Sequence, residues 1–230
     1  MERNTQLGIL YVIGTPIGNL GDITLRAIEI LKKVDAVLCE DTRVTSKLLK
    51  KYNITVPTIS YHAHSGETKV EKALAMLADG KTLALVSDAG TPGISDPGSV
   101  LVARAREEEI KIETVPGPSA LAAAISIAGL PAHEFLFLGF LPHKKGRETL
   151  TKEIAATKRA VIFYESPHRV QKIVSALAKL APERNIGIAR ELTKIYESFE
   201  KGTSVEIAAK LASGTIPTKG EFVVIVYPSY

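Results

Sequence analysis

The sequence predicts an α/β protein built from two α/β domains, and three observations support this fold class. Short apolar runs alternate with amphipathic segments along all 230 residues, which is typical of strands alternating with helices. Hydrophobic residues make up 45% and charged residues 23% of the chain, the balance of a protein with a substantial core. Pro116-Gly117-Pro118 interrupts the alternation near its middle. We therefore place the boundary within Pro116–Ser119, with one domain at residues 1–117 and a second at 118–230.

In the first half, the alternation predicts a mostly parallel, doubly wound sheet. The predicted strands are Gly8–Ile13, Ala36–Cys39, Thr58–Tyr61, Leu83–Ser87 and Lys111–Val115. The predicted helices are Leu25–Lys33, Thr45–Tyr52, Lys69–Ala78 and Val100–Glu108. The third helix follows a capping-box pattern, Thr68-x-x-Glu71, and precedes Gly80, so both of its ends carry sequence signals.

The second half repeats the alternation of strands and helices. Its predicted strands are Phe135–Gly139, Ala160–Tyr164, Ile186–Ala189, a segment around Tyr196–Glu200, and Phe222–Tyr227. Its predicted helices are Ala120–Ala128, a segment near Glu148–Ala156, Val170–Leu180 and Val205–Leu211. The same layered α/β architecture is therefore expected in both halves.

Composition excludes several classes of protein. Cys39 is the only cysteine, so no disulfide can join two parts of the chain, and a lone thiol suits a reducing compartment. The first six residues lack the apolar run of a signal peptide. The longest uncharged stretch, Thr114 to His133, contains three prolines and two glycines and is a poor membrane span. We expect a soluble, cytoplasmic protein without a membrane partner.

The net charge of +4 is unevenly distributed. Residues 1–115 carry 14 basic and 15 acidic side chains, whereas residues 116–230 carry 15 and 10. Residues 143–172 alone carry eight basic and three acidic groups. Concentrated positive charge of this kind favours contact with a phosphate backbone. A solvated helix face is the alternative explanation.

Three loops rich in glycine or proline follow predicted strands, where open α/β sheets bind their ligands. The loop Gly14–Asp22 has neither the dinucleotide spacing nor the lysine of a phosphate-binding loop, which disfavours a nucleotide-phosphate site. In the loop Ser87–Gly98, Asp88 can accept hydrogen bonds from a hydroxyl or ammonium group. We predict ligand binding for Asp88 through Ile94, and only helix capping for Asp96 and Ser99.

The third loop, Pro116–Ala120, joins the two halves. Its small residues leave room for a bulky group, although a rigid linker would also explain the prolines.

Six segments together resemble the tetrapyrrole (corrin/porphyrin) methylase family over essentially the whole chain. They are GTPIGNLGDIT at 14–24, CEDTR at 39–43, SDAGTPGISDPG at 87–98, VPGPSA at 115–120, FLPHKKGR at 140–147 and YESPHR at 164–169. Among them, the twelve-residue aspartate–glycine loop is the most specific. Within the family, the chain resembles the branch that 2′-O-methylates a cytidine ribose in the decoding centre of 16S ribosomal RNA.

The resemblance implies two α/β domains of the tetrapyrrole methylase type that hold S-adenosyl-L-methionine in a cleft between them, commonly as a homodimer. The residues that it assigns to the cofactor are Pro16, Asp88, Gly90, Thr91, Ile94, Ser119, Ala120, Tyr164, Glu165 and Ala189. The corrin and porphyrin enzymes usually read GDP where this chain has Ser87-Asp88-Ala89, so only the aspartate of that triplet is kept.

Glu40-Asp41-Thr42-Arg43 follows the second predicted strand. A ribose hydroxyl is a weak nucleophile, so a carboxylate that accepts its proton would assist methyl transfer. Arg43 could hold a phosphate beside it. We therefore predict Glu40, Asp41 and Arg43 as catalytic residues. Capping of a helix by Asp41 or Thr42, with an ion pair at the surface, is the alternative.

The basic segment supplies the predicted RNA contacts. They are Lys144, Lys145, Arg147, His168 and Arg169, with small-subunit ribosomal RNA or the assembled small subunit as the expected partner. Helix-start preferences explain Ser166 as an N-cap and Pro167 in the first turn, but they do not require His168 or Arg169. We predict no metal site, because His62 and His64 have no further ligands at suitable spacing.

These observations favour an S-adenosylmethionine-dependent ribosomal RNA methyltransferase. Two alternatives stay open at the level of sequence. One is a tetrapyrrole C-methyltransferase of the same fold, and the other is a non-catalytic ribosome-binding or assembly factor. The assembly factor would bind RNA without needing Asp88 or a cofactor site.

Overall fold

A computed structural model describes residues 7–62, 66–96, 98–131 and 133–229 of the chain. The chain divides into two compact units, Met1–Ser119 and Ala120–Tyr230. Each unit contains one five-stranded sheet with helices, so the predicted α/β fold class is confirmed. Every predicted element is present, and its ends differ from the prediction by at most three residues. Within the described ranges, no helix is long and apolar enough to cross a membrane.

The first unit contains a parallel sheet with the strand order β3-β2-β4-β1-β5. Its strands are β1 (Ile9–Ile13), β2 (Ala36–Cys39), β3 (Thr58–Ser60), β4 (Leu83–Leu85) and β5 (Lys111–Val115). Its helices are α1 (Leu25–Leu31), α2 (Thr42–Lys51), α3 (Glu67–Ala78) and α4 (Ser99–Glu107), with a short 3₁₀ turn at Leu20–Asp22. Because all five strands run the same way, the loops that follow them lie at one edge of the sheet.

The apolar residues of the first sheet are buried on both faces. Leu10, Leu38 and Leu85 belong to a core that includes residues of α3 and α4. Ile13 and Val37 belong to a second core that includes residues of α1 and α2. Alternate residues of one strand thus serve opposite cores, which explains why β2 and β4 are apolar throughout.

The second unit contains a mixed sheet with the strand order β6-β7-β10-β8-β9. Its strands are β6 (Phe135–Phe140), β7 (Ala160–Glu165), β8 (Asn185–Arg190), β9 (Ser198–Thr203) and β10 (Phe222–Val226). Its helices are α5 (Ala120–Ala128), α6 (Arg147–Ala156), α7 (Val170–Leu180) and α8 (Ser204–Ala212).

Only β6 and β7 pair in parallel in this sheet, and the other three pairings are antiparallel. The second sheet therefore differs from the sheet of the first unit, in which all pairings are parallel. The short segment 191–197 joins β8 to β9 as a hairpin, and a connection of that length cannot join parallel strands.

The residues that cap the helix starts are the least well predicted features. α3 begins at Glu67 with Gly66 as its N-cap, so the predicted Thr68 capping box is wrong. The N-cap of α7 is Arg169 rather than Ser166. α4 has Gly98 as its N-cap, at φ +133° and without a side-chain cap, which corrects the prediction that Asp96 and Ser99 cap it. The positive φ of Gly98 favours glycine there, and a Cβ would in addition lie 2.8 Å from the Cδ2 atom of Leu85.

Arg184 is a buried cation without a carboxylate partner among the described residues. Its guanidinium donates to five backbone carbonyl oxygens, those of Ile154, Ala155, Thr157, Arg159 and Tyr227. These carbonyls belong to the end of α6, the approach to β7 and the end of β10. One side chain therefore ties three segments of the second unit together, and burial lowers the pKa of its guanidinium.

We predict that Arg184→Leu destabilises the protein by about 3 kcal/mol, because five buried or partly buried carbonyls lose a charged donor at once. Denaturant unfolding measures this difference. Arg159→Leu is the matched control, since its exposed guanidinium lies 3.6 Å from an exposed Glu134 carboxylate and should change stability by less than about 1 kcal/mol. Equal losses in the two variants would contradict the role assigned to Arg184.

Candidate functional site

A backbone bridge joins the loops that follow β1 and β4. The Thr15 amide donates to the Gly90 carbonyl at 2.8 Å, and the Gly90 amide donates to the Thr15 carbonyl at 3.0 Å. The buried Thr15 hydroxyl also donates to the Ser87 carbonyl at 3.0 Å. Gly90 adopts φ +85°, a conformation that side chains other than glycine rarely tolerate. The two loops therefore form one rigid platform at the carboxyl edge of the first sheet.

The loop after β5 is held against the same platform. The Thr91 hydroxyl donates to the Pro118 carbonyl at 3.3 Å. A Cβ on Gly117 would lie 2.6 Å from the Gly14 carbonyl oxygen, so only glycine permits this close approach. All three loops that the sequence singled out are thus brought together within the first unit.

Asp88 links this platform to the segment after β2. Its Oδ1 accepts a hydrogen bond of 3.0 Å from the Asp41 amide. Burial, followed by the charge of Asp88, raises the pKa of the neighbouring Glu40 carboxyl, while His62 acts in the opposite direction. Glu40 is therefore a carboxylate with increased proton affinity at the edge of the platform.

Asp41 and Arg43 are engaged with each other. The Asp41 carboxylate caps α2 by accepting from the Arg43 amide at 2.8 Å, and it pairs with the Arg43 guanidinium at 2.6 Å. The hydrogen bond from the Arg43 side chain, with that from its amide, lowers the pKa of Asp41 to about 2. The alternative of a helix cap with a surface ion pair therefore describes this pair, and the Arg43 side chain is 87% exposed.

Asp96 lies near Glu40 and Asp88, a proximity that the sequence did not predict. Burial raises the pKa of its carboxyl to about 6, and the charges of Glu40 and Asp88 act in the same direction, against a hydrogen bond with Ser87. Asp96, Glu40 and Asp88 are thus close enough to influence one another. In the sequence, the only sign of this proximity was that the long loop Ser87–Gly98 contains a second aspartate besides Asp88. Capping of the following helix explained that aspartate equally well.

The other predicted residues of the first unit surround the platform. Pro16, next to the Thr15 bridge, is buried, whereas Ile94 is partly exposed and its amide donates to the Thr91 carbonyl at 3.3 Å. Ser119 is half-buried at the end of this unit, and Ala120 begins α5 of the second.

The described residues contain no group of three or more histidine, cysteine or acidic side chains placed to hold a metal ion. His64 lies outside those residues.

In the second unit, the buried Glu165 carboxylate joins two of the predicted RNA contacts. It lies 2.6 Å from an Arg147 nitrogen and 2.8 Å from an Arg169 nitrogen, and it accepts from the Ser166 amide at 2.8 Å. Arg147 and Arg169 also donate to the carbonyls of Pro142 and Leu141. Glu165 was predicted to contact the cofactor, but its carboxylate already has these two arginine partners.

The remaining predicted residues of the second unit differ in exposure. The Tyr164 ring makes edge contacts with Phe137 and Phe140, with centroid distances of 5.1 and 5.4 Å. Ala189 is fully buried in β8. Lys144, Lys145 and His168 are exposed.

The family model described as Tetrapyrrole (Corrin/Porphyrin) Methylases matches residues 9–208 of this chain. The match spans both units and includes every predicted site residue. The chain belongs to this family.

Three proteins that share one name are similar to most of this chain. A protein of Synechocystis sp. named ribosomal RNA small subunit methyltransferase I is 46% identical over 222 residues, which are 96% of this chain and 79% of that protein. A protein of the same name from Halalkalibacterium halodurans is 46% identical over 98% of this chain and 78% of its own length. A third, from Thermotoga maritima, is 43% identical over 85% and 88%.

Solved structures support the fold at lower identity. A cobalt precorrin-4 methyltransferase of cobalamin biosynthesis gives a TM-score of 0.67 at 19% identity, covering 95% of this chain and 94% of its own. A uroporphyrin III C-methyltransferase from Thermus thermophilus gives 0.65 at 18% identity, covering 96% and 97%. The tetrapyrrole methylase type of fold is therefore confirmed.

We predict that Asp96→Asn stabilises the protein above pH 6 and leaves stability nearly unchanged near pH 4. The folded-state pKa of about 6 exceeds the ordinary value of 3.8, so ionisation of Asp96 disfavours the folded state. This penalty develops as the pH rises from about 4 to about 6, and we expect a gain on the order of 1 kcal/mol above that range.

Unfolding free energies measured between pH 4 and pH 8 check this prediction. Asp79→Asn, at an exposed aspartate following α3, is the control and should show no such pH-dependent gain. A stability difference for Asp96→Asn that stays constant over the whole range would contradict the assignment.

Proposed function

We propose that this protein transfers the methyl group of S-adenosyl-L-methionine to small-subunit ribosomal RNA. The observation that carries the proposal is the 43–46% identity to three proteins named ribosomal RNA small subunit methyltransferase I over 85–98% of the chain. The similar corrin and porphyrin enzymes are only 18–19% identical. This difference favours an RNA acceptor over a tetrapyrrole. More narrowly, we propose the ribose 2′-hydroxyl of a cytidine in the decoding centre of 16S ribosomal RNA.

The platform of the first unit fits the chemistry of the proposed cofactor. S-adenosylmethionine carries positive charge at its ammonium and sulfonium groups, and Asp88, Asp96 and Glu40 place carboxyl groups beside the platform. Gly90 and Gly93 both have positive φ, and no atom within 4 Å would meet a Cβ on Gly93. Glycine permits close approach of a ligand to backbone amides and carbonyls.

We propose that the residues of the first unit that hold the cofactor are Pro16, Asp88, Gly90, Thr91, Ile94 and Ser119. Ala120, Tyr164 and Ala189 of the second unit stay predictions as contacts. For Glu165 we propose a positioning role, because a hydrogen bond that its carboxylate accepted from a cofactor would compete with those from Arg147 and Arg169.

The proposed reaction requires a protein group that takes the proton of the acceptor hydroxyl. When bound, S-adenosylmethionine supplies an activated methyl group for an in-line displacement. We propose Glu40 as the general base, because its pKa is raised, whereas that of Asp41 is lowered to about 2. Asp41 then positions the start of α2 and the exposed Arg43, for which we propose a phosphate contact.

We propose that RNA binds along the exposed basic loop of the second unit, which is the segment 141–146 between β6 and α6. Lys144, Lys145 and His168 extend into solvent, where long cationic side chains can reach phosphates. Arg147 and Arg169 share one carboxylate, so this cluster of three charged groups keeps a net charge of +1. From the family resemblance we also propose a cytoplasmic homodimer, which acts on ribosomal RNA or on the assembled small subunit.

We predict that the purified protein binds S-adenosylmethionine or S-adenosylhomocysteine and that Asp88→Asn weakens binding by about 1.5–3 kcal/mol. Asparagine keeps an oxygen that can accept from the Asp41 amide but removes the charge that faces the cofactor. Calorimetry provides the measurement, with Asp79→Asn as the control. A well-folded wild-type protein that binds neither compound would rule out the methyltransferase proposal.

We predict that replacing Lys144 and Lys145 by alanine flattens the salt dependence of RNA binding by about two units of log–log slope. Cofactor affinity should stay the same, since neither lysine is among the proposed cofactor contacts. The matched control replaces the exposed Lys158 and Lys179, which lie near the opposite edge of the same sheet. If the two double variants show the same slope as wild type, Lys144 and Lys145 belong to a solvated surface.

We predict that small-subunit particles carrying a 2′-deoxy substitution at the target cytidine accept no methyl group. Glu40→Gln should lower the transfer rate by about 10²–10⁴-fold, the usual contribution of a general base, with cofactor affinity nearly unchanged. Asp41→Asn should lower it much less, since its main contacts are with Arg43. Transfer to a porphyrin precursor and none to RNA would favour the alternative tetrapyrrole enzyme.

A further inference from the structure

The loop between β8 and β9 exposes two large apolar side chains. In this segment, residues 191–197, Ile195 is 95% exposed and Tyr196 is 71% exposed. Single exposed apolar residues are common on protein surfaces. An adjacent pair of exposed aliphatic and aromatic residues at the tip of a short connection is less common. No function for Ile195 or Tyr196 was predicted from the sequence.

Hydrogen bonds and ion pairs fix the β8–β9 loop. The buried Arg190 guanidinium donates to the Tyr196 carbonyl at 3.0 Å and to the Lys219 carbonyl at 2.6 Å. The Lys194 ammonium donates to the carboxylates of Glu191 at 2.9 Å and Glu221 at 3.0 Å. The backbone of the tip is therefore held from inside, while the Tyr196 ring extends outward.

Two residues of the same loop have unfavourable backbone conformations. Glu191 lies at φ +51° and Thr193 at φ +66°, in the left-handed region that β-branched residues such as threonine rarely adopt. Conformations of this kind persist where the surrounding contacts enforce them, and they are concentrated at functional sites. Glu191 and Thr193 thus hold strained backbone conformations in a loop whose tip is exposed.

The β8–β9 loop shares one edge of the second sheet with the basic residues. In the register of the sheet, Glu165 at the end of β7 and Arg190 at the end of β8 both pair with Phe222 at the start of β10. The segments after β6, β7 and β8 therefore leave the sheet at the same edge. β6 and β8 are separated by three strand spacings, on the order of 14 Å, a distance that a few nucleotides of single-stranded RNA can span.

We propose that Tyr196, supported by Ile195, is a stacking platform for an unpaired nucleobase of the RNA whose phosphates contact the basic loop. The inference rests on the proposed function. Sequence-specific RNA recognition mostly uses unstacked bases placed on aromatic rings, and such stacking tolerates any base. An acceptor ribose within folded RNA must be turned out of its helix, and a fixed aromatic ring at this edge stabilises a base displaced in that way.

The first test compares Tyr196→Ala, Tyr196→Phe and wild type in binding to small-subunit particles and to protein-free 16S ribosomal RNA. We expect Tyr196→Ala to weaken binding to both by between about fivefold and a hundredfold, the loss that removal of one base–aromatic stack produces. Tyr196→Phe should restore affinity. The salt slope should stay as in wild type, because the ring neutralises no phosphate.

A tryptophan at the tip provides a readout that does not depend on affinity. The chain contains no tryptophan, so Tyr196→Trp introduces a single tryptophan, whose emission can be excited selectively over that of the remaining tyrosines and which a stacked base of protein-free 16S ribosomal RNA should quench. Phe135→Trp, at the amino end of β6 and hence at the opposite edge of the sheet, should be quenched much less.

Several results would overturn the proposal, and they separate it from the proposed function. Unchanged affinity of Tyr196→Ala, equal weakening by alanine and phenylalanine, or no quenching at position 196 would each exclude stacking. Weaker binding to particles alone would indicate a ribosomal protein as the contact of this loop. Failure of wild type to bind either RNA, with S-adenosylmethionine binding intact, would instead refute the RNA acceptor, and this inference would fail with it.

Discussion

The arrangement of the first unit's loops depends on the backbone pairing between Thr15 and Gly90. Parallel pairing of β1 with β4 brings the two loops to the same edge but does not fix their conformations. The two reciprocal hydrogen bonds, together with the bond from the Thr15 hydroxyl to Ser87, do so. They orient the chain on both sides of Asp88, which in turn accepts from the Asp41 amide. A contact between two short loops thereby positions residues from three strand ends.

In the second unit, a buried carboxylate holds two of the basic side chains in fixed positions. Isolated lysines on a loop provide positive charge, but no contact fixes the positions of their ammonium groups. The buried Glu165 carboxylate instead fixes Arg147 and Arg169, and these arginines hold the carbonyls of Pro142 and Leu141. Burial of an acid is costly unless it is paired, and here the two arginines and the Ser166 amide pair it. The basic loop is thus anchored at its base while Lys144 and Lys145 extend into solvent.

Apolar periodicity predicted the elements well because each strand and helix buries residues at its own spacing. Helix α7, Val170–Leu180, was predicted with both ends correct, since its apolar face contributes Ile173, Val174 and Leu177 to the core. The antiparallel course of β10 was not predictable, because periodicity carries no strand direction. The Asp96 cluster and the pairing of Glu165 with its arginines were also missed. Both join residues distant in sequence, and local patterns favoured capping for Asp96 and RNA contact for the arginines.

One measurement tests most directly the proposal that this protein methylates small-subunit ribosomal RNA. Mass spectrometry can map the methyl groups of 16S ribosomal RNA from cells with and without this protein. We expect that one 2′-O-methylated cytidine in the decoding centre disappears without the protein and returns when the protein is supplied again, but not when the Glu40→Gln variant is supplied. An identical methylation map in the two kinds of cell would contradict the account.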